Sequence, residues 1–407
     1  MSKNETKQAA VIGAGPAGLM AAEVLAEAGL NVTIYERMAS PARKFLMAGR
    51  GGLNLTHSEN YAAFVSRFGA AQAHLKPFLD SFGPEQSREW CAGLGQETFV
   101  GTSGRVFPRI LKASPLLRAW LRRLGDLGAT IRLRHEFRGF SGDAALFETP
   151  EGPREIKADV FVLALGGASW PRLGANGGWV APLAAVGVES SPLRPANCGL
   201  LVDWSEFFAQ KFQGEPLKNI CLHFGGKSAK GEVLVTRRGL EGGAVYALSG
   251  AIRDALFAGE QAVLHIDLRP DFSQDDISRR LSRPRGKTSL ANYLRKVLGL
   301  SPLAIALLRE SGALPSETAA WAALIKAVPV KISGVGGLER AISTAGGVIW
   351  DSLDENLMAK SRPGLFVAGE MLNWEAPTGG YLLTACFATG RAAGLAAAAF
   401  AEGGKTP

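Results

Sequence analysis

Cysteine is scarce in this chain. There are four in 407 residues, and Cys91, Cys198, Cys221 and Cys386 lie far apart with no CxxC pair. That spacing offers neither a zinc knuckle nor a redox dithiol, and it fits a reducing compartment. Histidine is nearly as sparse, with five residues and no HxxxH or HExxH spacing, so no protein-built metal site is expected. A secretory leader is not expected either, because the polar start MSKNETKQ runs straight into a glycine-punctuated apolar segment. The most apolar C-terminal stretch, Ala392 to Phe400, reads as too short and too alanine-rich to span a bilayer. Together these absences predict a cytoplasmic globular protein, with length enough for two or three domains.

Glycine, by contrast, is plentiful: fifty residues, clustered in short runs inside apolar stretches. That placement points to close backbone approach to ligands more than to flexible linkers. The formal charge is +8 and the isoelectric point about 9.4. Seven Lys and Arg residues fall between Arg279 and Lys296: Arg279, Arg280, Arg283, Arg285, Lys287, Arg295 and Lys296. Such a cluster is either a solvated basic face or a footprint for a polyanion such as RNA.

Residues 9–36 read AAVIGAGPAGLMAAEVLAEAGLNVTIYE. The apolar run Ala9 to Ile12 predicts a buried parallel strand, followed at once by Gly13-x-Gly15-x-x-Gly18. A helix to about Ala28 comes next, then a strand from Val32 to Tyr35 ending in Glu36. Each part has a task in holding a dinucleotide. Gly13 permits the tight turn, Gly15 lets backbone meet a pyrophosphate, and Gly18 lets helix and strand pack closely. Pro16 and Ala17 open the helix, whose free N–H groups and positive dipole end face the phosphates. Glu36 is placed to accept hydrogen bonds from a ribose 2′-OH, with Arg37 beside it. This motif alone does not choose between FAD and NAD, since both present ADP.

A second segment, residues 364–394, makes that choice. It reads GLFVAGEMLNWEAPTGGYLLTACFATGRAAG: a strand from Leu365 to Ala368, then Gly369-Glu370, a Gly379-Gly380 loop, and a small-residue helix from about Tyr381. This is similar to enzymes of the glutathione-reductase-like FAD class, in which an acid after the strand binds the ribityl chain and a helix N-terminus faces the pyrimidine side of the isoalloxazine. Reduced flavin is negative near N1, so N–H groups of Gly379, Gly380, Tyr381 and Leu382 would favour that state. The glycines are expected because a side chain would strike the ring. A third piece, Asp159 to Leu165 followed by Gly166-Gly167, resembles the strand and glycine turn beside the adenosine half. Gly334-Val335-Gly336-Gly337 lacks a terminal carboxylate, so no second dinucleotide domain is expected. NAD(P)H, if used, docks transiently.

Several further segments, KFLMAGRGGLNLT (Lys44 to Thr56), GRVFP (Gly104 to Pro108), GGASWP (Gly166 to Pro171) and AGGV (Ala345 to Val348), resemble the BaiN/RdsA-like NAD(P)/FAD-dependent flavoproteins over nearly the whole chain. The resemblance implies an α/β fold: a Rossmann-like FAD-binding domain of the glutathione-reductase type, interrupted by a β-barrel-like domain with a small helical insertion. The expected boundaries are 1–190 and 341–407 for the FAD domain, 191–248 and 327–340 for the barrel, and 249–326 for the helices. One departure stands out. Where relatives read GGGRCN-x-T-N, this chain reads GRGGLN-L-T-H from Gly49 to His57, with Gly52-Leu53 in place of Arg-Cys. Arg50 is a substitute cation, and the change is expected to touch chemistry more than folding.

The cofactor set is therefore Lys44, Arg50, Gly51, Asn54, Thr56, Gly166, Gly369 and Glu370, with the residues named above. Arg43 and Lys44 are either pyrophosphate partners or a solvated pair. Tyr381, His57 and Glu375 are the candidate proton donors, each with a plainer role as backbone contact, structural ring or surface charge. Three activities stay open. One is flavin-mediated hydride transfer to a C=C or similar bond of a small substrate. The second is reduction of a uridine in RNA, against which loss of the family Cys counts. The third is a non-catalytic flavin-bound interaction or sensor protein.

Overall fold

The computed structural model describes residues 6–49 and 51–403. The chain divides into two units, Met1–Arg194 with Ser343–Pro407, and Pro195–Ile342.

The first unit is built on five parallel strands: β1 (Gln8–Ile12), β2 (Asn31–Glu36), β3 (Thr130–Leu133), β4 (Val160–Leu163) and β5 (Leu365–Val367). Their order is β5-β4-β1-β2-β3. The chain steps outward from β1 through β2 and β3, then crosses back to add β4 and β5 on the other side. That reversal leaves a crevice at the carboxyl ends of β1 and β4, where doubly wound sheets take their ligands. Both faces of the sheet are covered, which is why β4 is an unbroken apolar run buried at every position.

Helix α1 (Pro16–Glu27) follows β1, and helix α2 (Tyr381–Ala401) ends the unit. The two pack through their smallest residues. A Cβ on Gly390 would stand 2.3 Å from the Ala17 carbonyl oxygen, and one on Gly394 would stand 2.9 Å from that of Ala21. The small-residue composition of α2 is thus a packing requirement. At 21 residues α2 is long and apolar enough to cross a membrane by length and composition alone. The stretch 392–400 is only its second half, and most of the helix is buried within the first unit. α1 also buries a charge: Glu23 accepts from the indole N–H groups of Trp120 (2.5 Å) and Trp90 (3.3 Å) and from Arg123 (2.8 Å). Those three donors offset the desolvation that an unpaired carboxylate would suffer there.

The second unit holds a seven-stranded antiparallel sheet whose edge strands are Val328–Ile332 and Gly334–Val335. Strands lie about 4.8 Å apart, so the edges of a flat sheet this wide would stand roughly 29 Å apart. Here they are consecutive in the chain, joined by Ser333 alone. The sheet must therefore curl round on itself, as a barrel-like domain requires. Strand Ala262–Asp267 lies inside the sheet and helix Gly243–Phe257 precedes it. The four helices Gln274–Leu281, Leu290–Leu298, Pro302–Glu310 and Thr318–Lys326 then follow before the sheet resumes, so the segment 249–326 expected to be mainly helical also contains a strand of the sheet.

Candidate functional site

At the carboxyl end of β1 the three motif glycines have separable reasons. Gly13 has φ +106°, and a Cβ there would meet the Ala164 carbonyl oxygen at 2.3 Å. A Cβ on Gly18 would meet the Gly13 carbonyl oxygen at 1.9 Å. Those two are demanded by the protein. A Cβ on Gly15 would meet nothing within 4 Å, so open space lies over this backbone. Gly15 is also the N-cap of α1, with no side-chain cap and Pro16 in the first turn. The helix N-terminus therefore has no side-chain cap and faces open space, the arrangement that suits a phosphate.

Glu36 closes β2 beside it. Its two oxygens accept from the backbone N–H groups of Ala14 (3.0 Å) and Met38 (2.8 Å). Burial pushes its carboxyl above the ordinary range, opposed by those same N–H groups. Arg37 donates to the Gly174 carbonyl (3.3 Å), and a cavity of about 200 Å³ lined by Arg37, His135, Phe137, Gly174 and Trp179 continues from this end. An open phosphate cradle, an acid at the strand end and an adjoining cavity are what an ADP moiety needs. The residues present fit it.

The flavin-side segment is arranged differently, because its polar groups engage one another. Glu370 is 7% exposed. Its carboxylate accepts from Lys44 Nζ (2.7 Å), the Thr344 N–H (3.0 Å) and, more weakly, the Gly167 N–H (3.4 Å). Lys44 also reaches Ser169 Oγ at 2.8 Å. Lys44 thus balances the buried acid, and the pair forms a neutralised cluster. Around it the GGASWP and AGGV glycines press strand on loop. A Cβ on Gly167 would lie 2.4 Å from Thr344, and one on Gly346 would lie 2.1 Å from the Pro192 carbonyl oxygen. Gly166, at φ +72°, sits 3.8 Å from the Glu370 carboxylate by the same measure. Gly369 is close-packed too, with a Cβ there falling 2.7 Å from Ala17.

Gly379 and Gly380 are tightly packed against the protein itself. A Cβ on Gly379 would strike the Tyr381 ring at 2.6 Å, and one on Gly380 the Thr56 Cα at 2.5 Å. The protein's own packing therefore demands glycine at both positions. Asn54, its amide oriented by its neighbours, accepts from the Gly380 N–H (3.2 Å) and donates to the Thr56 carbonyl (3.1 Å). Thr56 and Thr384 share a hydroxyl hydrogen bond of 2.8 Å. One of the backbone N–H groups expected to face flavin is therefore taken. α2 has no side-chain cap, which leaves its first turn, Tyr381 and Leu382 included, to supply the others.

Of the candidate proton donors, Tyr381 is 4% exposed and its phenol donates to Glu59. Burial, then the Glu59 carboxylate, raises its pKa well above a normal phenol. His57 accepts from the Glu59 N–H at Nδ1 (3.1 Å) and lies 3.1 Å from the Ser103 carbonyl at Nε2, so both ring nitrogens are occupied. Glu375 is half-buried in the loop after Trp374. Cys386 is buried in α2, and burial pushes its thiol up to about 12. Gly51 is exposed with open space over its Cβ position, while Arg50 lies outside the described residues.

At the Gly52-Leu53 departure the structure shows a packing role. Leu53 is fully buried in the core, and its N–H bonds the Leu111 carbonyl at 2.7 Å. Gly52 takes φ +110°, a backbone shape open to glycine but strained for an arginine. Sequence reasoning missed two residues here altogether, Glu59 and Arg67. Arg67 grips the Glu59 carboxylate with hydrogen bonds of 3.0 and 2.6 Å. Nothing in their local sequence marks them, because their partner Tyr381 lies more than three hundred residues away.

Comparison with known proteins bears on this geometry. A 3-dehydro-bile acid delta(4,6)-reductase of Clostridium scindens is 26% identical over 404 residues, covering 95% of this chain and 98% of that one. A ribosomal RNA dihydrouridine synthase of Escherichia coli is 26% identical over 397 residues, covering 93% and 94%. Among solved structures, a 3-ketosteroid delta1-dehydrogenase from Sterolibacterium denitrificans shares the fold at 13% identity, with a TM-score of 0.55 over 97% of this chain and 100% of that one. Residues 7–396 match the family described as HI0933-like protein Rossmann domain, and the chain belongs to that family.

Proposed function

We propose that this protein transfers hydride, by way of FAD, to a C=C bond of a small organic substrate, with NAD(P)H as a transiently docked electron donor. The chain is an FAD-dependent oxidoreductase. The observation that carries the reading is the uncapped N-terminus of α1 at Gly15, where a Cβ would meet no protein atom within 4 Å, set between the ordered turn at Gly13 and the acid Glu36. FAD, when bound, supplies the two-electron chemistry. The chain's own residues bind and orient it. Gly15 to Ala17 hold the diphosphate, Glu36 the adenosine ribose, and Arg37 borders the adenine cavity. Lys44, Glu370, Asn54, Thr56 and the α2 N-terminus shape the flavin end. Tyr381 and His57 serve there through packing and hydrogen bonds, since their polar atoms are already engaged. A cytoplasmic location goes with this reading, as all four cysteines are free thiols.

The test is anaerobic. Purified protein should take up FAD and turn yellow, and NADH or NADPH should bleach it. An unsaturated 3-dehydro-bile acid, the type of compound named for the Clostridium relative, should then restore the colour. A protein that takes up no FAD ends the proposal. One that is bleached by neither nucleotide removes the nicotinamide part of it.

A second reading, reduction of a uridine in RNA, rests on the basic cluster. Arg283, Arg285 and Lys287 are exposed in the loop before helix Leu290–Leu298, and Arg295 and Lys296 are exposed on that helix. Arg279 pairs instead with Asp276 (3.1 Å), and Arg280 stacks on Phe272 (4.3 Å). Affinity for RNA that falls steeply with salt would support this reading, and absence of binding at low salt would remove it.

A further inference from the structure

The N-cap of α2 is a glycine at φ +93° without a side chain, so nothing local fixes where this helix starts. What fixes it comes from residues 54–67. Asn54 takes the Gly380 N–H, Thr56 takes the Thr384 hydroxyl, and Glu59 takes the Tyr381 hydroxyl. The three contacts fall on one helical turn. Two of them are made by residues the sequence motif already marked, while Glu59 is the unexpected member.

The Glu59 side chain is only 14% exposed against 50% for Arg67, so its carboxylate is largely withdrawn from water and relies on protein donors, Arg67 being one. Tyr381 is another. The ring packs between His57 (centroids 5.5 Å apart, stacked) and Phe64 (4.9 Å), with Phe68 edge-on at 6.4 Å. A phenylalanine would fill that space equally well. The hydroxyl's hydrogen bond goes to Glu59, which is itself tied by Arg67 and by its own N–H to His57, and Arg67 also stands close enough to act on the phenol.

We propose that Glu59 is a positioning residue which, through the Tyr381 hydroxyl, holds the first turn of α2 in the orientation that presents its N–H groups to the flavin. The inference rests on the FAD reading above for what the helix faces, though not for the clamp itself. A helix dipole acts over only its first turn, so a small reorientation there alters how strongly negative charge on a ligand is stabilised.

The experiment measures two things in wild type and in Tyr381→Phe, Glu59→Ala and Glu59→Gln variants. These are amide hydrogen exchange across residues 380–385, and the midpoint potential of bound FAD. Tyr381→Phe and Glu59→Ala should each speed exchange about tenfold, the worth of one hydrogen bond to a charged group. Both should also lower the flavin potential. Glu59→Gln, whose amide oxygen still accepts the phenol proton, should keep most of the wild-type behaviour in both readouts. Exchange and potential unchanged in Tyr381→Phe would overturn the proposal, as would Glu59→Gln behaving like Glu59→Ala. If the wild type binds no FAD, the functional reading fails on its own. Exchange in the apoprotein then decides the clamp: faster exchange in Tyr381→Phe supports it, and unchanged exchange overturns it.

Discussion

The two ends of the nucleotide fold use the same ingredients, a glycine at a helix start and an acid nearby, to opposite effect. At Gly15 the backbone faces open space and the neighbouring acid, Glu36, bonds only to backbone N–H groups. At Gly380 the backbone lies against Thr56, and the acid, Glu370, is tied to Lys44. One end is left open for a ligand. The other is closed by the chain upon itself. A glycine-rich turn in a sequence therefore has two physical origins, room for a ligand or room for the protein, and the letters alone do not separate them.

The largest expected effect comes from the closed end. Gly380→Ala forces a Cβ onto the Thr56 backbone at a left-handed φ, and should cost about 3 kcal/mol of stability, or roughly 6–12 °C in Tm. A melting temperature equal to wild type would erase the distinction between the two ends. Gly15→Ala is the counterpart. Its φ of −86° suits alanine and its Cβ meets nothing, so the apoprotein should melt within about 1 kcal/mol of wild type. The methyl would occupy the phosphate cradle, and FAD binding should weaken at least tenfold, about 1.4 kcal/mol. Titration of the apoprotein with FAD reads this directly, and unchanged affinity would move the phosphates elsewhere.

The smallest effect separates the ends by sign. Burial raises the Glu36 carboxyl above its ordinary 4.5 in the folded apoprotein. Its contribution to stability is present below that value and is lost as pH rises through the raised pKa. Hydrogen bonding from Arg67 lowers the Glu59 carboxyl below the same 4.5. Its contribution is present above 4.5 and is lost as pH falls through the lowered pKa. Apoprotein melts between about pH 3 and 7 should therefore show Glu36→Gln gaining stability toward neutrality and Glu59→Gln losing it. Equal slopes for the two variants would contradict the opposed environments.

The open end was the legible one. Gly13, Gly15, Gly18 and Glu36 lie within one strand–helix–strand unit, so spacing along the chain reports spacing in the fold. The curled antiparallel sheet was expected as well, through the family resemblance that implied a barrel-like domain. What escaped were contacts between segments distant in the chain. Glu59 reaches Tyr381 across 322 positions and Lys44 reaches Glu370 across 326. No periodicity encodes such pairs. The burial of Leu53 was hidden for the same reason, since only the fold lays Leu111 beside it.

The strands Ser190–Ala196 and Ser343–Val348 pair as a two-stranded ribbon, and the Ile342 N–H bonds the Asn197 carbonyl at 3.2 Å. The chain therefore leaves the first unit and returns to it at nearly the same point. Closing a loop of this length costs entropy only logarithmically in its length, and here the second unit brings its own ends together when it folds. To the parent fold the whole of residues 195–342 is then equivalent to a short hairpin. Such a segment can lengthen, shrink or be exchanged for another without disturbing the nucleotide sheet, so the part of the molecule free to diversify is separable from the part that carries the cofactor.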